Sequence, residues 1–219
     1  MPDSSRLSSL QNDLLGAFFD REQAFFLTGG AALVGFYLHH RETSDLDLFG
    51  TRDASIEAGT RALLAAADAV GAQLDSIQES QDFRRFAARR GEELTVVDLV
   101  IDRAPQAFAE KARSGLIRLD PPREIAANKL CTLLDRMEVR DLVDLKLLLA
   151  TGITLEEALA DARKKHAGAD AGTLAWLLGQ FRIPTSHPTL EEAGIAAGDL
   201  DQFRQQLIDE LTRLALPAE

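Results

Sequence analysis

Cysteine and long apolar runs are scarce in this sequence, which argues against several classes of protein. The single cysteine, Cys131, lies in the leucine-rich stretch NKLCTLL and has no second cysteine with which to form an internal disulfide. We expect it to pack as a small apolar side chain, and we expect no redox chemistry. No run of about eighteen uncharged apolar residues predicts a membrane-spanning helix. The start, MPDSSRLSSLQNDLLGAFF, lacks the features of a signal peptide, so we expect a cytoplasmic protein with no membrane partner.

Positive charge is also in short supply. The 24 Lys and Arg residues face 35 Asp and Glu residues, which gives a formal net charge of −11. A general nucleic-acid binder neutralises many phosphates with Lys and Arg, and this balance disfavours a diffuse surface of that kind. One local exception is DFRRFAARRGEE, residues 82–93, with Arg84, Arg85, Arg89 and Arg90. This segment is either a solvated strand face or a contact for an anionic substrate.

The apolar pattern divides the chain into a mixed half and a helical half. In the first half, short apolar runs such as AFFLTGG, SDLDLFG and ELTVVDLVID predict strands, and Gly91-Glu92 predicts a hairpin turn. Beyond Pro121-Pro122, which no helix can run through, the periodicity is helical. We therefore predict an α+β protein with a core domain at 1–120 and a helical C-terminal domain at 121–219.

Two aspartates interrupt one of the predicted strands. In SDLDLF, Asp45 and Asp47 project from one face, whereas Leu46 and Leu48 project from the other. Neighbouring carboxylates repel each other, and their burial is costly unless a cation compensates. Oxygen ligands suit Mg²⁺ or Mn²⁺, so this spacing favours a metal site. A water-exposed edge strand would give the same pattern.

A third carboxylate, Asp98, interrupts the apolar strand LTVVDLVI. If this strand pairs with the strand of Asp45 and Asp47, the three carboxylates form the cluster that two-metal phosphoryl transfer requires. Asp98 would then bind metal and would orient or deprotonate the attacking hydroxyl. Asp102, at the end of the same strand, is the alternative.

A glycine pair precedes these aspartates in the chain. Gly29-Gly30 follows an apolar strand and begins a predicted helix, where backbone N–H groups favour a bound phosphate. A plain turn has the same local sequence. Together with the downstream Asp-Leu-Asp, however, the pair describes a nucleoside triphosphate that is held by its phosphates and by metal.

A basic stripe is predicted in the helical half. On one uninterrupted helix over 128–145, Lys129, Arg136 and Arg140 would lie at nearly the same angle and would suit phosphates. A solvated surface, with Arg140 paired to Asp144, would use the same spacing. The stripe also depends on the helix continuing through RMEVRD, where the apolar period breaks.

Three segments resemble a known family. LTGGAALVGFYLHHRETSDLDLF, VVDLV and NKLCTLLDRMEVRDLVDL are similar to the AbiEii/AbiGii toxin family of DNA polymerase β-like nucleotidyltransferases, over roughly residues 20–150. The resemblance implies a mixed sheet flanked by helices, a helical C-terminal domain, and binding of an NTP and Mg²⁺. Several members are toxins of type IV-like toxin–antitoxin or abortive-infection modules, and some modify tRNA.

The resemblance also implies roles for individual residues. Gly29 and Gly30 would contact the triphosphate, and Asp45 and Asp47 would bind metal. In the second half, the matched positions are the phosphate-contacting Lys129, the late catalytic Asp141 and the following acidic Asp144.

Three functions fit these observations. The first is transfer of a nucleotide from an NTP to an acceptor, RNA such as tRNA or protein, by a toxin with an antitoxin encoded nearby. The second is an antibiotic nucleotidyltransferase, because a net charge of −11 would attract a cationic aminoglycoside. The third is a non-catalytic nucleotide-binding interaction module.

Overall fold

The computed structural model describes residues 6–216, which divide into two compact units. The first unit runs to Arg103 and includes Glu110–Pro121. The second comprises Ala104–Ala109 and the described residues from Pro122 onward. The predicted core domain, 1–120, includes 104–109, whereas the structure groups these residues with the second unit. That the two units are separate domains stays a prediction.

A seven-stranded mixed sheet forms the centre of the first unit, in the order β3-β4-β5-β2-β1-β7-β6. Strand β2 is antiparallel to β1 and parallel to β5, and β3, β4 and β5 form an antiparallel meander. The strands are β1 Phe25–Thr28, β2 Asp45–Gly50, β3 Gln73–Glu79, β4 Phe83–Arg90, β5 Glu93–Ile101, β6 Ala112–Ser114 and β7 Ile117–Leu119.

Three helical segments accompany this sheet: α1 Ser9–Phe19, α2 Gly29–Ala32 and α3 Ile56–Ala69. Helix α1 begins at a capping box, in which the Ser8 hydroxyl and the Gln11 side chain satisfy each other's backbone N–H groups. Helices α1 and α3 pack on each other and on β5. The inward side chains of β2, Leu46 and Leu48, are each 1% exposed. One face of the sheet is therefore apolar and covered.

The second unit is helical: α4 Pro122–Asp135, α5 Val139–Ala150, α6 Leu155–Lys165, α7 Ala171–Gln180, α8 Pro188–Ala193 and α9 Ala197–Ala215. Helix α4 packs against α5, α6 and α7, and α7 packs against α9. The segment 104–109 is held to this unit by Glu124, whose carboxylate accepts the Ala107 and Phe108 backbone N–H groups.

The α+β fold predicted from the sequence is confirmed, and the hairpin at Gly91 joins β4 to β5. The prediction of one uninterrupted helix over 128–145 is wrong. Helix α4 ends at Asp135, and α5 begins at Val139 after an extended Glu138 with φ −120° and ψ 146°. The break changes the helical phase, so that Val139 is buried at the start of α5. No described helix is long and apolar enough to cross a membrane.

Candidate active site

The two aspartate-bearing strands are parallel neighbours in the sheet. Asp47 of β2 lies at the same register as Asp98 of β5, and Asp45 lies opposite Val96. Residues that pair across strands point to the same face, so Asp45, Asp47 and Asp98 share one face. The structure thus brings together the three carboxylates that the sequence proposed as metal ligands.

A polar row crosses the sheet at this register. It consists of one side chain from each of four neighbouring strands: Thr28 of β1, Asp47 of β2, Asp98 of β5 and Arg85 of β4. We call these four residues the polar row. The row lies on the face opposite to the covered side chains of Leu46 and Leu48.

The carboxylates of this face differ in exposure and in partners. Asp45 and Asp47 are half-buried, whereas Asp98 is buried. The Thr43 hydroxyl donates a hydrogen bond of 2.8 Å to Asp45 Oδ1. Asp102, the alternative to Asp98, lies one residue beyond the end of β5, and its N–H donates to the Gly50 carbonyl oxygen at 2.8 Å.

Arg85 holds both oxygens of Asp98 in a bidentate contact. Its Nε donates to Oδ1 at 2.8 Å and its Nη2 donates to Oδ2 at 2.6 Å. These hydrogen bonds raise the pKa of Arg85, against the effect of its partial burial, and the negative charges of Asp98, Asp45 and Asp47 raise it further. Arg85 is thus a permanent cation that interacts electrostatically with all three carboxylates.

The chemistry of the donor set fits a hard divalent cation at Asp45 and Asp47, because both supply carboxylate oxygens on one face. In the part of the chain that is described, no group of three or more His, Cys, Asp and Glu side chains is arranged to hold a metal ion. The third predicted ligand, Asp98, has both oxygens engaged by Arg85.

The glycine pair lies directly against this face. Gly29 has a φ of +64°, and a Cβ at this position would lie 2.3 Å from Asp47 Oδ2. A Cβ on Gly30 would lie 2.6 Å from Nη2 of Arg41, which is only 5% exposed. Glycine therefore lets the backbone approach Asp47 and Arg41 more closely than any other residue would.

Two further features mark the segment around these glycines. The Thr28 hydroxyl is buried and has no hydrogen-bond partner among residues 6–216, although Thr28 is the N-cap residue of α2. Helix α2 then continues as a π-helical turn over Leu33–Tyr37. Buried unpaired hydroxyls and π-helical turns are both uncommon, and π-helical turns are frequent at functional sites.

The arginines of β4 all have carboxylate partners within the first unit. The partners are Glu79 for Arg84, Asp98 for Arg85, Asp75 for Arg89, and Asp13 and Glu93 for Arg90. Only the Asp98 side chain is buried, at 10% exposed, whereas the others range from 35% to 57%. Arg85 therefore differs from the other β4 arginines because its partner is a buried carboxylate.

In the second unit, Lys129 joins α4 to α5 through two aspartates. Its Nζ lies 2.6 Å from Asp141 Oδ1 and 2.7 Å from Asp144 Oδ2, and all three residues are buried. Burial alone would lower the pKa of Lys129, but the charges of Asp144 and Asp141 outweigh it and raise the pKa. Lys129 is therefore a cation at neutral pH and is not a general base.

The two arginines of the predicted stripe meet at one carboxylate. Arg136 Nη1 lies 3.2 Å and Arg140 Nε 2.6 Å from Glu138. Arg136 Nε also lies 4.0 Å from Asp141 Oδ2, a buried oxygen without a hydrogen-bond partner among the described residues. Arg136 and Arg140 thus surround Glu138 instead of forming a stripe on one helix.

Sequence patterns did not reveal three polar residues at this site. Arg41 and Thr43 lie in the connection before β2, where no periodicity indicates burial. Arg85 belonged to a recognised arginine segment, but its pairing with Asp98 depends on the register of β4 and β5. The alternation of β4 was the one available signal, since it separates Arg85 from Arg84.

A model of the family described as nucleotidyl transferase AbiEii toxin, type IV TA system, matches residues 13–217. No curated protein matches.

Two solved structures from Helicobacter pylori are similar in fold. One is a candidate nucleotidyltransferase, with 22% identity over 94% of this chain and 96% of that chain and a TM-score of 0.57. The other is JHP933, with 20% identity over 94% of this chain and 95% of that chain and a TM-score of 0.54. The family match spans nearly the whole sequence, and the chain therefore belongs to the AbiEii family of nucleotidyltransferase toxins of type IV toxin–antitoxin systems.

Proposed function

We propose that this protein is a metal-dependent nucleotidyltransferase that transfers a nucleotide from an NTP to an acceptor, RNA such as tRNA or protein. One observation carries the proposal: the backbone of Gly29 lies directly against the carboxylate of Asp47. A phosphate bound at the glycines and a cation bound at the aspartates would then be neighbours, as in a metal-bound triphosphate. Family membership supports nucleotide transfer as the reaction class.

Asp45 and Asp47 would hold Mg²⁺ or Mn²⁺, because both present carboxylate oxygens on one half-exposed face. A metal held there would supply positive charge to the NTP phosphates and to the attacking and leaving oxygens. Gly29 and Gly30 offer backbone N–H groups to the triphosphate. The unpaired Thr28 hydroxyl is a further donor beside them.

The reaction joins an acceptor oxygen to the α-phosphorus and breaks the bond from that phosphorus to the bridging oxygen of the β-phosphate. Pyrophosphate leaves with the electrons of that bond. The proton of an acceptor hydroxyl passes to a carboxylate, and we assign this role to Asp98 or Asp141. Each oxygen of Asp98 already accepts one hydrogen bond from Arg85 and keeps a second lone pair for the proton.

Lys129 is assigned a phosphate contact. An ammonium group has three N–H donors, and two are directed to Asp141 and Asp144. The third is the donor that we assign to the phosphate. Arg136 and Arg140 would join it by exchanging Glu138 for an anionic phosphate oxygen.

A cationic small-molecule acceptor, such as an aminoglycoside, is the second candidate. The pairing of all four β4 arginines with carboxylates favours it, because paired arginines attract RNA phosphates less strongly. The net charge of −11 acts in the same direction. A non-catalytic nucleotide-binding module is the alternative outside enzymes.

Labelled NTPs separate these functions. Each of the four NTPs, labelled in the α-phosphate, is incubated with total tRNA, a protein extract or an aminoglycoside in the presence of Mg²⁺. Label in tRNA or protein supports the toxin function, and label in the aminoglycoside supports the second candidate. Binding of Mg-NTP in calorimetry without label transfer to any acceptor would support the non-catalytic module. An antitoxin gene beside this one would be consistent with the first function.

A further inference from the structure

Arg85 contacts Asp98, which is one of the three predicted metal ligands. A cation of the protein itself therefore already lies against that ligand. The fork of Arg85 occupies both oxygens of Asp98 at 2.6 and 2.8 Å. Asp98 lies beside Asp47 in the polar row, at the same register of the neighbouring strand. A cation at Asp47 and the Arg85 guanidinium would therefore compete for the same carboxylate.

The two partners are unequally fixed. The Asp98 side chain is only 10% exposed and sits in the middle of a strand, so its charge needs a cation beside it. The Arg85 side chain is 43% exposed, and its guanidinium lies 5.5 Å from the centre of the Phe83 ring. The Arg85 side chain is therefore the more solvent-accessible partner, and the shorter Asp98 side chain is the more buried one.

We propose that Arg85 is a displaceable counter-ion, a positioning residue that neutralises Asp98 until a divalent cation replaces it. The inference rests on the proposed function, because it assumes a metal at Asp45 and Asp47. Each Asp98 oxygen has two lone pairs, and a metal that binds through the pair facing Arg85 replaces at least one of its hydrogen bonds. Arg85 thereby weakens metal binding in the protein without nucleotide. In the metal-free state it stabilises the carboxylates by its charge.

The neighbouring arginines give a matched comparison. Arg89 lies on the same strand and, four residues further along, on the same face, but it pairs with the exposed Asp75 at 3.8 Å. Removal of Arg89 takes away the same charge from the same strand without freeing Asp98. If Arg85 is the counter-ion of Asp98, Arg85→Gln should change the Mn²⁺ affinity more than Arg89→Gln does. An effect of net charge alone would be equal in the two variants.

The test measures Mn²⁺ affinity by electron paramagnetic resonance, without NTP, in the full chain. We expect Arg85→Gln to bind Mn²⁺ about tenfold more tightly than the wild type, because Asp98 is released from its competing cation and can be recruited to the metal. Arg85→Lys, which keeps the charge but loses the fork, should bind with intermediate affinity. Arg89→Gln should change the affinity less than about twofold, since its charge is distant and screened.

Asp98→Asn separates competition for Asp98 from the general field of Arg85. In the Asp98→Asn background, Arg85→Gln should tighten Mn²⁺ binding much less than it does with Asp98 present, because only the field of Arg85 on Asp45 and Asp47 remains. Equal tightening with and without Asp98 would overturn the inference, as would wild-type or weaker affinity in folded Arg85→Gln. If Arg85→Gln does not fold, as circular dichroism would reveal, Arg85→Lys decides: tighter binding supports the inference, and wild-type affinity overturns it.

The outcomes also distinguish this inference from the function on which it rests. If wild-type protein does not bind Mn²⁺, or if Asp45→Asn and Asp47→Asn leave the affinity unchanged, the metal site itself is refuted and the inference with it. If those two substitutions abolish binding but Arg85→Gln does not strengthen it, only the role of Arg85 is refuted.

Discussion

Gly29 and Asp47 approach each other so closely that a Cβ on Gly29 would lie 2.3 Å from Asp47 Oδ2. The contact joins the turn after β1 to the central aspartate of β2. It explains why the glycine and the aspartate belong to one site although they lie eighteen positions apart in the sequence.

Gly29→Ala should disturb this site more than backbone strain alone explains. A positive φ in a non-glycine residue costs about 1–2 kcal/mol. Gly71 has a φ of +69° and nothing within 4 Å of the point where a Cβ would lie, so it is the matched control for that strain. Chemical denaturation should therefore show Gly29→Ala to be less stable than Gly71→Ala by at least about 1 kcal/mol. Equal losses of stability in both variants would mean that the Asp47 side chain moves aside at no cost in free energy.

Thr28→Val tests whether the buried hydroxyl of the polar row is kept for a ligand. Its oxygen has no hydrogen-bond partner among the described residues, so its loss should leave the free energy of unfolding unchanged or raise it by up to about 1 kcal/mol. Nucleotide transfer should nevertheless fall, by an increase in KM for the NTP.

Thr95→Val is the contrasting variant for Thr28→Val. The Thr95 hydroxyl donates to the Ser44 carbonyl oxygen at 2.9 Å and accepts from Gln11 Nε2 at 3.0 Å. Its removal should lower the free energy of unfolding by about 1–3 kcal/mol. A Thr28→Val variant that loses stability in the same way, with unchanged KM, would refute a ligand contact for Thr28.

Lys129→Met should destabilise the second unit, because it leaves Asp141 and Asp144 buried without their cation. The expected loss is about 3–5 kcal/mol in the free energy of unfolding. Lys129→Met combined with Asp141→Asn and Asp144→Asn should recover part of this loss. No recovery in the triple variant would show that the packing of Lys129, and not its charge, is what matters.

The pH dependence of this contribution follows from the raised pKa of Lys129. A raised pKa in the folded state means that the stabilisation is complete below the usual lysine pKa of 10.5 and is lost as pH rises through the folded-state value. The difference in stability between wild type and the triple variant Lys129→Met, Asp141→Asn, Asp144→Asn should therefore stay constant from neutral pH to about pH 10 and shrink above it. A difference that already shrinks near pH 8 would contradict the charged triad.

Tyr37 offers a direct spectroscopic test of the first unit, since it is the single tyrosine of the chain. Burial, and then the charge of Asp120, raise its pKa to about 12, while its hydroxyl donates to the Asp120 carbonyl oxygen at 3.0 Å. Phenolate absorbance should titrate near that pH in the folded protein and near 10.0, the ordinary value, in denaturant. A folded-state midpoint close to 10.0 would show that Tyr37 is solvated.

The central strands of the site were predictable because their patterns are local. Alternation in SDLDLF placed Asp45 and Asp47 on one face, and the strength of LTVVDLVI as a strand made its pairing with β2 a natural hypothesis. The neighbouring positions of Asp47 and Asp98 in the sheet agree with that hypothesis.

Other parts of the fold depend on contacts that no local pattern encodes. Strands β6 and β7 have three residues each, too few for alternation to identify them. The burial of Arg41 and the fork between Arg85 and Asp98 arise from tertiary packing. The contact of Lys129 with both aspartates depends on the break between α4 and α5, which the assumption of one helix missed.

The most direct test of nucleotide transfer at the aspartate face is Mg²⁺-dependent pyrophosphate release from NTP in the presence of the acceptor that takes up label. Asp47→Asn, which keeps the size of the side chain beside Gly29, should reduce turnover by at least about 100-fold. Asp53→Asn, which removes an exposed carboxylate outside the polar row, should keep wild-type turnover. Unchanged turnover in folded Asp45→Asn and Asp47→Asn would contradict metal-dependent nucleotide transfer at this face.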